Sequence, residues 1–553
     1  MKKILLLLLI LPMFSFAQQK AKFWVSFTDK NNSIYTTSNP SAFLSARAIN
    51  RRLKAGVSVA FEDLPVNTSY MDSVRNRGAK ILNASKWLNG VSIELSDSTQ
   101  IASIQSLPFV MHTTAVAFRK SNLVHQDKFS HEFSLPDKNT HMPLQKTSGY
   151  NYGLSGAQIN QLNGIGLHDK GFHGEGIIIA LLDAGFYKVD SLPAFDSLRA
   201  NNQILGVKDF VAGDNSVYED HWHGMMVLST IAGNIPGSIV GTAPKAQFFL
   251  LRTEDDNSEY IIEEYNWVCG AEYADSAGAD VISSSLGYTE FNASSQNHTY
   301  ASMDGNTCPS TRGADFAAAR GMLVFVSAGN EGGSSWQYIS APSDGDSVVS
   351  VGAVNPFGTR AFFSSVGPSF DGRIKPNLAA TGETSVVAST TGGVQFANGT
   401  SFACPILAGM SSCLLQAHPN LKNIEIIQAL QQSGNQSMIP DSLLGYGIPD
   451  FGFAHDVLLG MTENSFGQLG ITAFPNPFTG KTNIRIQNND REGEMTIEIF
   501  DIYGRKLYGE NIISKGKRLI DFEINESVLP LAGMYLLKAN GKKFTGFAKI
   551  IKQ

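Results

Sequence analysis

Cysteine is scarce in this chain, with four in 553 residues: Cys269, Cys308, Cys404 and Cys413. Their spacing fits no zinc pattern, and so few thiols exclude a small cross-linked scaffold. Cys269 with Cys308 is the only pair to consider for a disulfide, against the alternative of isolated small core residues. Charge is also sparse. Charged side chains make up 17% of the chain, and 43 basic against 49 acidic residues leave a net charge of −6. That balance offers no basic footprint for nucleic acid. No apolar run is long enough to cross about 30 Å of hydrocarbon as a helix. Internal repeats and low-complexity tracts are missing too, which excludes solenoid and fibrous architectures.

What is present describes a foldable chain too long for one ordinary domain. Lys2 and Lys3 precede an apolar run from Ile4 to Met13, and Ser15-Phe16-Ala17 closes it with small residues. This is the order of a secretory signal over residues 1–17, and it predicts a soluble product outside the cytoplasm. Residues 18–120 follow as a small α+β unit, with strand-like alternation over Lys22 to Thr28, Trp87 to Leu95 and Val110 to Phe118. Helical patterns fall on Ser41 to Lys54 and Asp97 to Ile104. Residues 121–149 are polar, without apolar periodicity, and read as a linker.

From 150 to 460 short apolar runs alternate with helical stretches. Gly176 to Leu182, Gln247 to Leu251, Val281 to Ser284, Met322 to Val326 and Val348 to Val351 read as buried strands. Glu259 to Ala277 and Gly313 to Arg320 read as helices between them. Such alternation predicts an α/β domain, a parallel sheet with helices on both faces. Residues 461–470 form a second linker. From 471 to 553 short strands without helices predict a β-sandwich.

Four segments of the central domain carry chemistry. A buried strand ends on Asp183, followed by Ala184-Gly185, at the sheet edge where open α/β folds place their sites. His223-Gly224 opens an apolar helix. Val324 to Ala328 leads into Gly329-Asn330, and Gly399-Thr400-Ser401 enters a small-residue helix with Pro405 in its first turn. A lone Asp, His or Ser of this kind is usually structural. Together they supply a nucleophile, a base, an orienting carboxylate and an amide donor.

In this order and with these flanks the segments resemble the subtilisin-like (subtilase) serine peptidases. Asp183-Ala184-Gly185 is similar to that family's Asp-Ser/Thr-Gly motif. His223-Gly224-Met225-Met226-Val227 is similar to its His-Gly-Thr-His-Val motif, with methionines replacing the threonine and second histidine. Gly399-Thr400-Ser401-Phe402-Ala403-Cys404-Pro405 is similar to its nucleophile motif. The resemblance implies a subtilisin-like fold and a serine endopeptidase acting through an acyl-enzyme. It makes Ser401 the nucleophile, His223 the base, Asp183 its orienting partner and Asn330 the oxyanion-hole amide. It also implies that Ser285, Leu286 and Gly287 bind the substrate backbone. His221 lacks the following glycine and is expected at the surface, and Cys404 in the core. No cofactor is required for catalysis. The resemblance also allows structural calcium. The insertion from Tyr288 to Thr311, with Asp304-Gly305-Asn306, is open between a specificity loop and a calcium loop, but it shows no full ligand set and reads first as a solvated turn.

The flanking regions carry resemblances of their own. The segment from Lys20 to Lys120 resembles a subtilase propeptide, which implies a zymogen released by a cut between His125 and Gly149. The C-terminal segment resembles the sorting domain of type IX secretion, through Phe474-Pro475-Asn476-Pro477-Phe478, Ile502-Tyr503-Gly504-Arg505, Gly533-Met534-Tyr535 and the basic tail Lys549 to Lys552. The implied partners are protein or peptide substrates, the chain's own propeptide and the secretion machinery, for an enzyme acting as a monomer. Two alternatives stay open: another serine acyl-transferase or esterase on the same scaffold, and an inactive surface adhesin.

Overall fold

The alternation in the central segment resolves into a seven-stranded, fully parallel sheet. The structure is a computed structural model that describes residues 21–118, 128–129, 132 and 149–463. It also describes 470–553, apart from 488–493, 502–503, 514–518, 526, 530 and 542–543. The signal over 1–17 and, apart from Lys128, Phe129, Glu132 and Gly149, the expected linker 121–149 lie outside the described residues.

Four strands build the N-terminal unit: β1 (Ala21–Phe27), β2 (Lys80–Ser85), β3 (Gly90–Leu95) and β4 (Val110–Phe118). They form an antiparallel sheet in the order β2-β3-β1-β4. Helices α1 (Ala46–Ala55) and α2 (Thr68–Arg75) belong to the same unit. Strand β2 and helix α2 were not anticipated, because Lys80-Ile81-Leu82-Asn83-Ala84-Ser85 lacks clean alternation. Instead α2 is started by Asn67, whose side chain accepts from the Ser69 amide. Val25, Val91, Ile93, Leu95, Val74 and Ile104 close one core. The unit also packs on the central domain, where Trp24 stacks on Tyr265 at 4.3 Å.

The central strands are β5 (Ile178–Asp183), β6 (Ile204–Asp209), β7 (Gln247–Arg252), β8 (Val281–Ser284), β9 (Leu323–Ser327), β10 (Val349–Val354) and β11 (Leu378–Thr381). Their order is β11-β10-β9-β8-β5-β7-β6. Every residue of β5, β8, β9 and β10 is buried, as continuous apolar runs between two helical layers require. The two strands absent from the sequence reading are the edges. Strand β6 is interrupted by Gly206 and Lys208, and β11 is four residues long with two alanines. Helices α3 (His223–Ala232), α4 (Ile262–Ala277), α5 (Pro309–Ala319) and α6 (Thr400–Ala417) cover the sheet. After β5 the chain goes first to one side of it and then, with β8, to the other. A crevice therefore opens beyond the ends of β5 and β8, the switch point of the sheet.

All four cysteines are free and buried. Cys269 packs in the core beside Trp267, while Cys308 sits in a separate cluster with Met303 and Ala341. The pair Cys269 and Cys308 is thus not bridged. The helix Phe451–Glu463 runs past the expected boundary at 460.

The C-terminal unit is a second compact body. Seven strands, β12 (Gly470–Phe474), β13 (Lys481–Gln487), β14 (Glu494–Asp501), β15 (Lys506–Ile513), β16 (Leu519–Asn525), β17 (Gly533–Gly541) and β18 (Phe544–Lys552), form two antiparallel sheets. Their orders are β12-β13-β16 and β15-β14-β17-β18. Ile484, Ile486 and Ile520 of one sheet meet Ile497, Ile499, Leu537 and Ile550 of the other in one core, which makes a sandwich.

Candidate active site

Asp183 ends β5, His223 is the first residue of α3, and Ser401 is the second of α6. All three are buried. His223 Nδ1 lies 2.7 Å from Asp183 Oδ1, which also accepts the Ala184 amide at 2.8 Å. The glycine after the histidine is required by close approach. A Cβ on Gly224 would stand 2.4 Å from the Gly185 carbonyl oxygen and 2.9 Å from the Asp183 side chain. The segments carrying Asp183 and His223 can therefore meet only if that position is glycine.

Asn330 follows β9. Its Oδ1 accepts from both the amide and the hydroxyl of Thr400, each at 2.9 Å. This fixes the orientation of the side-chain amide. Pro405 is the sixth residue of α6 rather than part of its first turn. Lacking an N–H, it cannot bond the Ser401 carbonyl one turn back. The Ser285 hydroxyl takes that role, donating to the Ser401 carbonyl at 2.7 Å. Ser285 thus braces the first turn of α6, just beyond the end of β8, with Leu286 and Gly287 beside it on the cleft wall.

A residue the sequence reading missed sits at the centre. Glu132, inside the expected linker, is 2% exposed. Its Oε1 accepts from Ser401 Oγ at 2.7 Å and from Asn330 Nδ2 at 2.9 Å. Its Oε2 pairs with His223 Nε2 at 2.9 Å. Phe129 of the same segment stacks on the His223 ring at 4.0 Å, and Lys128 enters an acidic recess nearby. Phe129 and Glu132 are therefore buried in the cleft and Lys128 half-buried there, and the three do not form a solvated linker. A Cβ on Gly399 would fall 2.8 Å from Glu132 Oε1, so this glycine leaves room for the carboxylate. One polar residue in a polar stretch gives no periodic signal, and nothing in the sequence marked Glu132 out.

The electrostatics follow from the geometry. Burial acts to lower the pKa of His223, but the carboxylates of Asp183 and Glu132 on its two nitrogens outweigh it and raise the value to about 10. The imidazole is thus held protonated across neutral pH. Cys404 is fully buried and burial pushes its thiol up to about 12, so it is a neutral core residue. His221 is half-buried, not at the surface, and its Nδ1 accepts the His223 amide at 3.2 Å. Met225 and Met226 are fully buried behind the histidine. The Asp304 carboxylate is taken up by its own loop, accepting from the amides of Asn306 and Thr307.

Comparisons with known proteins agree with this architecture. Residues 174–447 match the subtilase family, and residues 22–132 match a peptidase S8 propeptide domain of Bacteroidota. Residues 472–553 match a secretion system C-terminal sorting domain. The chain is 31% identical over 280 residues to Subtilisin of Bacillus pumilus, covering 50% of this chain and 90% of that protein. It is 28% identical over 369 residues to Subtilisin NAT of Bacillus subtilis subsp. natto, covering 66% of this chain and 80% of the relative. The crystal structure of MycP1 from the ESX-1 type VII secretion system is also similar, with 19% identity and a TM-score of 0.43 over 56% of this chain and 88% of that one.

Proposed function

Because the chain belongs to the subtilase family and is a serine-type endopeptidase with its own propeptide and a C-terminal sorting domain, we propose that Asp183, His223, Ser401 and Asn330 form its catalytic centre and that Glu132 holds this centre shut in the zymogen. The sorting domain makes it a secreted or cell-surface protein. The observation that carries the proposal is the Glu132 carboxylate. One group touches the Ser401 hydroxyl, the Asn330 amide and the His223 ring, as a reacting acyl group has to.

In the proposed reaction Ser401 Oγ attacks the scissile carbonyl carbon while His223 Nε2 takes its proton. Asp183 holds the imidazole by Nδ1 and stabilises the cation that forms. Charge developing on the carbonyl oxygen is met by Asn330 Nδ2, the Ser401 amide and the positive end of the 18-residue helix α6. The tetrahedral adduct collapses, His223 returns the proton to the leaving amine, and an acyl-enzyme remains on Ser401. Water, deprotonated by His223, then releases the acid. The backbone at Ser285, Leu286 and Gly287 pairs with an extended substrate. The propeptide match ends at residue 132, beyond the boundary expected at 120, so release of the segment through Glu132 exposes all three side chains together.

Labelling by a fluorophosphonate probe tests the assignment. The processed wild type should label and hydrolyse casein, and Ser401→Ala should do neither. Equal labelling of both would end it, and hydrolysis of a simple ester without casein would reject the peptidase reading.

A further inference from the structure

Lys128 is an ammonium from the propeptide side of the chain, seated in a recess of the catalytic domain. Its Nζ lies 3.0 Å from Glu254, 2.8 Å from Glu259 and 3.1 Å from Glu263. Three donors of one ammonium therefore meet three carboxylates. The recess is built and not incidental: the Glu254 and Glu263 side chains are 2% and 1% exposed. Glu254 accepts from the Tyr288 hydroxyl, and Glu263 accepts the Asp255 amide at 3.2 Å. Among the described residues no other lysine or arginine pairs with these three. Burial raises the Glu263 carboxyl well above its usual range, an effect that the Lys128 charge opposes.

The recess is continuous with the catalytic centre. One cavity of about 150 Å³ is lined by Lys128, Glu254 and Glu259 and also by Asn330 and Ser401. Between them Phe129 covers His223 and Glu132 reaches Ser401. Lys128, Phe129 and Glu132 thus lie along the cleft that a substrate uses.

We infer that Glu254, Glu259 and Glu263 form a substrate subsite that takes a basic side chain, lysine foremost, within the four residues on the N-terminal side of the scissile bond. Lys128 is the occupant while the propeptide is in place. Once it leaves, three clustered carboxylates remain without their cation, and a substrate lysine restores the pairing. An apolar side chain leaves the carboxylates unpaired, and an acidic one adds repulsion. The inference rests on the peptidase reading above.

The test uses processed enzyme and fluorogenic peptides in which a single lysine is walked through the four positions, each paired with a norleucine peptide. At one position lysine should raise kcat/KM by at least about tenfold over norleucine. Glu259→Gln and Glu263→Gln should each lower kcat/KM for the lysine peptide far more than for the norleucine peptide, removing most of that preference. Casein hydrolysis and probe labelling run alongside. Labelling and casein cleavage with equal rates for lysine and norleucine at all four positions would overturn the subsite alone. Preference that survives both glutamine variants would overturn it too. Loss of casein hydrolysis and labelling in the wild type would reject the peptidase reading, and the subsite with it.

Discussion

The Ser401 hydroxyl donates to Glu132 Oε1 at 2.7 Å, so the proposed nucleophile is held by a side chain of the segment that precedes its own domain. The partner is not a backbone carbonyl presented for cleavage. The Glu132 backbone oxygen is turned away and accepts from the Asn398 amide at 2.8 Å. What fills the centre is a carboxylate, which resembles the product of hydrolysis and offers no leaving group.

Removing that carboxylate should loosen the zymogen. Hydrogen bonds to a charged group contribute about 1.5–3 kcal/mol each, and about 1.4 kcal/mol is a factor of ten. Glu132→Ala in the unprocessed chain should therefore label with a fluorophosphonate at least about tenfold faster than wild type. Unchanged labelling would show that Phe129 and the folded N-terminal unit suffice to block the site.

The same contact sets a pH dependence. His223 has its pKa raised from 6.5 to about 10 with Glu132 in place. A raised value means that the folded zymogen binds this proton more tightly than the unfolded chain does. Its contribution to stability is complete below 6.5 and is lost as the pH rises through about 10. The His223 ring signals, followed by NMR in the unprocessed Ser401→Ala chain, should titrate near 10. Removal of the propeptide takes away one of the two carboxylates and should bring the midpoint down. A midpoint that stays put would contradict the proposed pairing.

How much of this could be read from the chain divides along a physical line. That Asp183, His223, Asn330 and Ser401 meet in one cleft was legible because each sits at or near a strand or helix terminus, inside motifs whose glycines and small residues are forced by close packing. Strands β5 and β8 to β10 were legible because full burial demands unbroken apolar runs. Edge strands β6 and β11 were not, since one half-exposed strand and one four-residue strand leave a weak pattern. Lys128 and Glu132 were illegible for another reason. Their partners lie 91 to 269 residues away, and polar residues at a docked interface look like those of a solvated linker. Pro405 was placed one turn too early, so the brace from Ser285 to Ser401 went unseen.

That brace predicts a defect of its own. Ser285→Ala leaves the Ser401 carbonyl without its donor, in a helix where Pro405 supplies none. Orphaning a buried acceptor costs about 1–3 kcal/mol. Thermal unfolding of the processed domain should register this loss. Because the first turn of α6 carries the proposed nucleophile, kcat should fall while KM moves little. Full kcat with a lowered melting point would confine Ser285 to stability.

Asn330→Leu should spare binding and impair turnover. In subtilisin itself, losing the oxyanion-hole amide lowers kcat by roughly 10²–10³, and the expectation here is carried over from that case. Asn330 also holds Thr400 through Oδ1, so Asn330→Asp is the informative companion. It keeps that acceptor, replaces the Nδ2 donor by an oxygen and adds a negative charge where the oxyanion forms. Steady-state rates on one peptide should show both variants slow with KM near wild type. Normal kcat in Asn330→Asp would exclude Nδ2 as the oxyanion donor.

The last prediction concerns how the N-terminal unit is held. Asp275 on α4 pairs with Arg51 at 2.5 Å, Arg52 at 2.7 Å and Lys86 at 2.9 Å, all from the unit ahead of the catalytic domain. Its side chain is fully buried there. Burial acts to raise its pKa, but the three cations outweigh it and hold the carboxyl below its usual 3.8. A lowered value means the contribution is full above 3.8 and is lost only as pH falls through the lowered pKa, so mild acid leaves this anchor intact. Asp275→Asn takes the shared carboxylate from three cations in a buried interface. Among the described residues Arg52 alone of the three keeps a second carboxylate, Asp63 at 3.0 Å. Breaking such a pairing costs about 3–5 kcal/mol. In the processed enzyme the three cations are gone and the same substitution is nearly neutral. Thermal melts of unprocessed Ser401→Ala, with and without Asp275→Asn, should therefore differ by several degrees, and those of the processed domain by little. An equal shift in both forms would locate the effect inside the catalytic domain and not at its contact with the propeptide.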